Sequence, residues 1–202
     1  MNNNIFDINE FLFDKRILNE INSISQKAQH IKFNIKNYDD TIRITKKSII
    51  YNQLYDYINS YDSEHKIFID IHHMPNFSEN QVSGRIYIPQ VKYKDWEEYF
   101  IIDIFCNKNK VMAIKFLITV LHEFAHYLQY KYDIFNYETF QSAYQTELNA
   151  DKIAKVLFKS LTFKYQNNHY LYKHSDFNLY KSKRCINFLY KFDKGKYDIL
   201  FK

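Results

Sequence analysis

Glycine and proline are nearly missing: the 202-residue chain has two of each. That excludes long flexible linkers, collagen-like repeats and Pro/Gly-rich low-complexity regions. Cysteine is just as scarce, with only Cys106 and Cys185. Two thiols cannot build a disulfide scaffold or a four-thiolate zinc site, so both are expected as small core residues in a reducing compartment. No apolar run approaches the roughly 18 residues that a membrane helix requires. The longest, residues 111–121, is broken by Lys115. The opening residues, MNNNIFDINEF, lack a basic region followed by an apolar stretch. A soluble, cytoplasmic chain with no membrane partner is therefore expected.

What remains is enough for a core, since 46% of residues are hydrophobic. One domain is the expectation at this length. Ile, Lys, Asn, Tyr and Phe make up more than half the chain. All have A/T-rich codons, so the excess is read as genome composition rather than physics. Charge is uneven. Residues 152–202 carry +9 of a total of +5, which leaves −4 for the first 151. The C-terminal quarter is thus basic and aromatic, a composition that could serve nucleic acid through phosphate contacts and base stacking.

Hydrophobic spacing predicts helices over residues 5–28 and 45–57, the second with Ile49, Ile50, Leu54, Tyr57 and Ile58 turned inward. Residues 30–35 alternate as a short strand does. KIFIDI (66–71), GRIYIP (84–89) and YFIIDIF (99–105) read as strands, with a loop over 74–83. The proline in the second suits an edge strand. A small sheet of three or four strands follows. Asn107 to Asn109 are read as a turn and cap leading into a helix over 110–130, and a further helix is expected over 138–161. One more is expected near 176–190. The fold class is α+β.

The long helix contains His122-Glu123-Phe124-Ala125-His126, an H-E-x-x-H pattern. Residues four apart share one side of a helix, so both imidazoles can hold one Zn²⁺ at roughly 2.0–2.1 Å. Glu123 projects about 100° away. From there it can take a proton from a metal-activated water and return it to a leaving amine. With eight His and nine Glu in the chain, composition alone would yield this pattern only about 0.01 times. A catalytic zinc usually takes three protein ligands. Glu147, 21 residues after His126 on the next helix, is the candidate third. Asp151 lies one turn further on the same face and is expected to accept the free N–H of His122. Ala143, Ala150 and Ala154 on or beside that face would let the two helices approach closely.

At these residues, HEFAH followed by ELNAD, the chain resembles the gluzincin clan of zinc metallopeptidases, and in size its small soluble members, minimal gluzincins and ImmA/IrrE-type regulators. The resemblance spans roughly residues 119–154. It implies a zincin core over 66–161, between a mainly helical part (1–65) and the basic aromatic part (162–202). It implies zinc-dependent hydrolysis of peptide or protein substrates, with an edge strand, residues 84–89 or 99–105, pairing with an extended peptide. It also implies a Tyr or His that stabilises the oxyanion. His169 and Tyr170 are preferred among His169, Tyr170, Tyr172, His174, Tyr137 and Tyr144. The alternatives are a regulatory protein that keeps the zinc site but acts by binding a partner, and a nucleic-acid-associated protease that uses the basic C-terminal part.

Overall fold

A computed structural model describes residues 14–35, 40–60, 66–88 and 99–163. Along the chain these form α1 (Lys15–Lys27), β1 (Lys32–Phe33), β2 (Thr41–Ile42), α2 (Ile49–Asn59), β3 (Lys66–His73) and β4 (Val82–Tyr87). Then follow β5 (Tyr99–Cys106), β6 (Val111–Met112), α3 (Ala113–Lys131), α4 (Phe140–Ser160) and β7 (Thr162–Phe163). The fold is α+β. The anticipated helix over 176–190 and the first residues of the anticipated N-terminal helix lie outside the described residues.

The main sheet has the order β3-β5-β4, with β3 parallel and β4 antiparallel to β5. Strand side chains alternate between faces. One face therefore carries Ile67, Ile69, Phe100, Ile102, Ile104 and Cys106, all buried, with Gly84 and Ile86 in register beside them. α3 packs on this face and α4 packs on α3. The opposite face carries Asp103, held between His72 Nε2 at 2.8 Å and Arg85 Nε at 2.7 Å. Sequence alternation puts Asp103 on the outward face, yet its two partners leave it almost fully covered. Because β5 is flanked on both sides, residues 99–105 cannot be the edge strand. β4 has no strand on its other side among the described residues.

α3 is buried from Ala113 to Gln129 apart from Lys115, so it is the central helix of the fold. It starts later than its apolar pattern suggests. Val111 and Met112 pair as a short antiparallel ladder with Ile42 and Thr41. Asn107 Oδ1 instead accepts the N–H groups of Asn109 and Lys110 ahead of that ladder. The Ala113 N–H finds its partner in the Asp40 carbonyl at 2.9 Å. α2 likewise starts at Ile49 rather than Thr45, and Ile49 is 66% exposed rather than inward.

The turn after α3 reverses the chain toward α4. Asp133 there has φ 57°, a left-handed conformation that a short polar side chain tolerates better than most. α4 then opens with a capping box: Thr139 accepts from the Ser142 N–H, and Ser142 Oγ accepts from the Thr139 N–H. At its far end, β7 pairs in parallel with β1, and Tyr57 meets Ser160 at 2.8 Å. These contacts tie the far end of α4 to β1 and α2.

Candidate metal centre

His122 and His126 come from one side of α3, and Glu147 comes from the facing side of α4. Their donor atoms converge. His122 Nε2 lies 3.2 Å from His126 Nε2 and 3.1 Å from Glu147 Oε2, and His126 Nε2 lies 3.3 Å from the same oxygen. All three residues are buried, and together they could hold a metal ion. Ligand bonds of about 2.0–2.1 Å arranged tetrahedrally put neighbouring donors roughly 3.3–3.4 Å apart. The observed triangle has that size.

The other nitrogen of each imidazole is also committed. His122 Nδ1 meets Asp151 Oδ1 at 2.9 Å, and His126 Nδ1 meets Gln129 Oε1 at 2.8 Å. A carboxylate and an amide oxygen only accept, so each Nδ1 is the donor. In the neutral rings both Nε2 lone pairs then face each other and a carboxylate oxygen. Three acceptors at hydrogen-bond distance require a proton or a cation between them. Their charges reflect this. Burial alone would lower His122, but its bonds to Asp151 and Glu147 outweigh that and hold it well above its ordinary 6.5. Burial alone would raise Glu147, but the His126 and His122 rings hold it well below its ordinary carboxylate value. Burial raises Asp151, against the pull of His122, and Asp151 Oδ2 is buried with no hydrogen-bond partner among the described residues.

Glu123 is 6% exposed and stands beside the triad, beneath β4. Burial raises its pKa, with the imidazoles pulling the other way. The backbone of Ile86 on β4 also pulls it down, more weakly than the imidazoles. The strand comes so close that a Cβ on Gly84 would stand 2.8 Å from Glu123 Cγ, Glu123 Oε1 and Thr119 Cγ2. Only a glycine lets the strand lie there.

Of the six oxyanion candidates, the two preferred residues, His169 and Tyr170, lie outside the described residues, as do Tyr172 and His174. Tyr144 sits half-buried on α4. Tyr137 is at the centre: its hydroxyl donates to Glu147 Oε1, and its ring contacts His126 and Phe135. Gln129 was not anticipated at all. Its signal was a polar residue three positions after His126, on the same side of the helix as both imidazoles. Cys106 is fully buried in the sheet with its thiol pushed up to about 11 by burial, so it is a core residue rather than a thiolate. The basic C-terminal part proposed for nucleic acid lies outside the described residues beyond Phe163. No helix among those described is long and apolar enough to cross a membrane.

No family model, curated protein or solved structure matches this chain. What the site can do has to follow from its own atoms.

Proposed function

We propose that the chain is a zinc-dependent metalloendopeptidase of gluzincin type. The observation that carries the proposal is the buried triangle of two imidazole nitrogens and one carboxylate oxygen, with no donor of its own, and a second buried carboxylate, Glu123, alongside. Two imidazoles and a carboxylate are a common donor set for catalytic zinc. His122, His126 and Glu147 would hold the ion. When bound, zinc would polarise a scissile carbonyl and lower the pKa of a water to about 7.

The remaining roles belong to the chain. Glu123 takes the proton of the attacking water and delivers it to the leaving amine. Its burial suits both halves of that task, because a carboxylate of raised pKa holds a proton long enough to pass it on. The open side of β4 is where an extended peptide would pair, next to Glu123. Tyr137 donates its one hydroxyl proton to the second oxygen of Glu147, which leaves Oε2 facing the imidazoles; it could bind a developing oxyanion only by giving up that bond.

The test is Glu123→Gln. This variant should keep its zinc and lose about 10²–10⁴-fold in cleavage of a broad peptide library. Cleavage at the unmodified rate would refute the role given to Glu123. A chain that is loaded with zinc and cleaves no peptide, with or without chelator, would favour action by partner binding instead.

A further inference from the structure

We propose that Gln129 is a positioning residue of the metal centre, setting the tautomer of His126 and the seat of Glu147 through a single side-chain amide. The proposal rests on the metal reading above. Gln129 is completely buried. A buried amide is costly unless both of its ends are satisfied. Both are: Nε2 donates to the Thr146 carbonyl at 2.8 Å, and Oε1 meets His126 Nδ1 at 2.8 Å.

The direction of the amide is not arbitrary. A backbone carbonyl can only accept, so the NH₂ group must face Thr146, and flipping the amide would set two oxygens against each other. Oε1 must then face His126, whose Nδ1 carries the proton. His126 Nε2 is left with its lone pair turned toward His122 and Glu147. Asp151 does the same for His122 from α4. Gln129 does it from within α3, three residues from its target.

The other end of the amide reaches the residue directly before Glu147. Thr146 is also tied on its far side: its hydroxyl donates to the Asn136 carbonyl at 2.8 Å, and the next residue, Tyr137, holds Glu147 Oε1. His126, Gln129, Thr146, the 136–137 turn and Glu147 thus form a closed circuit around the donor triangle. Within it, Gln129 joins His126 of α3 to the residue before Glu147 on α4.

The test uses the full chain and zinc alone, in competition with a chelator. Gln129→Met keeps the shape and removes both hydrogen bonds. Its zinc affinity should fall about 10–100-fold. Gln129→Glu can make both bonds only as the protonated acid, its O–H on the Thr146 carbonyl and its C=O on His126 Nδ1, and in that form should recover part of that loss, which a purely packing role would not produce. A Met variant that binds zinc as tightly as the unmodified chain overturns the proposal. A second measurement needs no variant. Long-range ¹H–¹⁵N spectra of the metal-free, unmodified chain should show His126 protonated at Nδ1, and the opposite tautomer overturns the proposal even if the Met variant fails to fold. If the unmodified chain binds no zinc, the metal reading fails, while the His126 tautomer still reports on Gln129.

Discussion

At the scale of single residues, the site depends on chemistry that two kinds of position supply. His122, His126 and Glu123 are legible in the sequence because their relation is local: one helical turn fixes it whatever the rest of the fold does. Gln129 and Gly84 are not: the amide of Gln129 is oriented by Thr146 on α4, and Gly84 matters only where it meets Glu123 and Thr119. Gly84 gives a sharp prediction. Adding a methyl would force β4 or Glu123 to move, since the new atom would meet Glu123 and Thr119 at 2.8 Å. Gly84→Ala should cost about 1–3 kcal/mol of stability on chemical denaturation. It should also lower peptide cleavage far more than zinc content, because the displaced residue is Glu123 and not a ligand. Full cleavage with unchanged stability would show that the strand does not press on Glu123.

At the scale of elements, the centre is a meeting of two helices. Their approach depends on small residues: Ala150 and Ala154 are fully buried in the shared core, one and two turns from Glu147. Ala150→Leu should overpack this seam and cost about 1–3 kcal/mol. Zinc affinity should fall with it, because α4 carries Glu147 and any outward shift opens the donor triangle. Unfolding curves and chelator competition on the same sample would test both effects. α3 and α4 could be read from their periodicity, although their starts could not. The first residues of the anticipated α3 belong to β6, whose partner Thr41–Ile42 is some 70 residues away in sequence. No local pattern announces a two-residue ladder. The same holds for β1 and β7, whose pairing is set by where α4 ends. Which of β4 and β5 lies at a sheet edge became clear only from the sheet order, since the two look alike as sequences and differ, among the described residues, in having one neighbour or two.

For the whole molecule, folding and metal binding draw on the same buried charges. A raised folded-state pKa means that the native chain holds the proton more tightly than the unfolded one. His122 therefore adds stability to the metal-free protein below its ordinary 6.5, and that stability is lost as pH rises through its folded value. Burial of Glu123 acts in the same direction above its ordinary 4.5. Glu147, held low, adds stability above its ordinary 4.5, and that is lost as pH falls through its folded value. The metal-free chain should therefore melt at a lower temperature at about pH 9 than at about pH 6. With saturating zinc the order should reverse, because the ion takes the place of the His122 proton and binds more tightly as that proton leaves. Zinc at about a thousand times its dissociation constant should add roughly 4 kcal/mol. Thermal melts across pH, with zinc and with chelator, would check both trends. A metal-free midpoint that climbs with pH would contradict the charge assignment.

The measurement that bears most directly on the centre is X-ray absorption at the zinc edge on the purified chain. One zinc per chain is expected, with two imidazoles and oxygen donors at about 2.0–2.1 Å, and the imidazole signature should weaken in His126→Ala. A chain that takes up no zinc, or one whose zinc sits among sulfur ligands at about 2.3 Å, would contradict a site built from His122, His126 and Glu147.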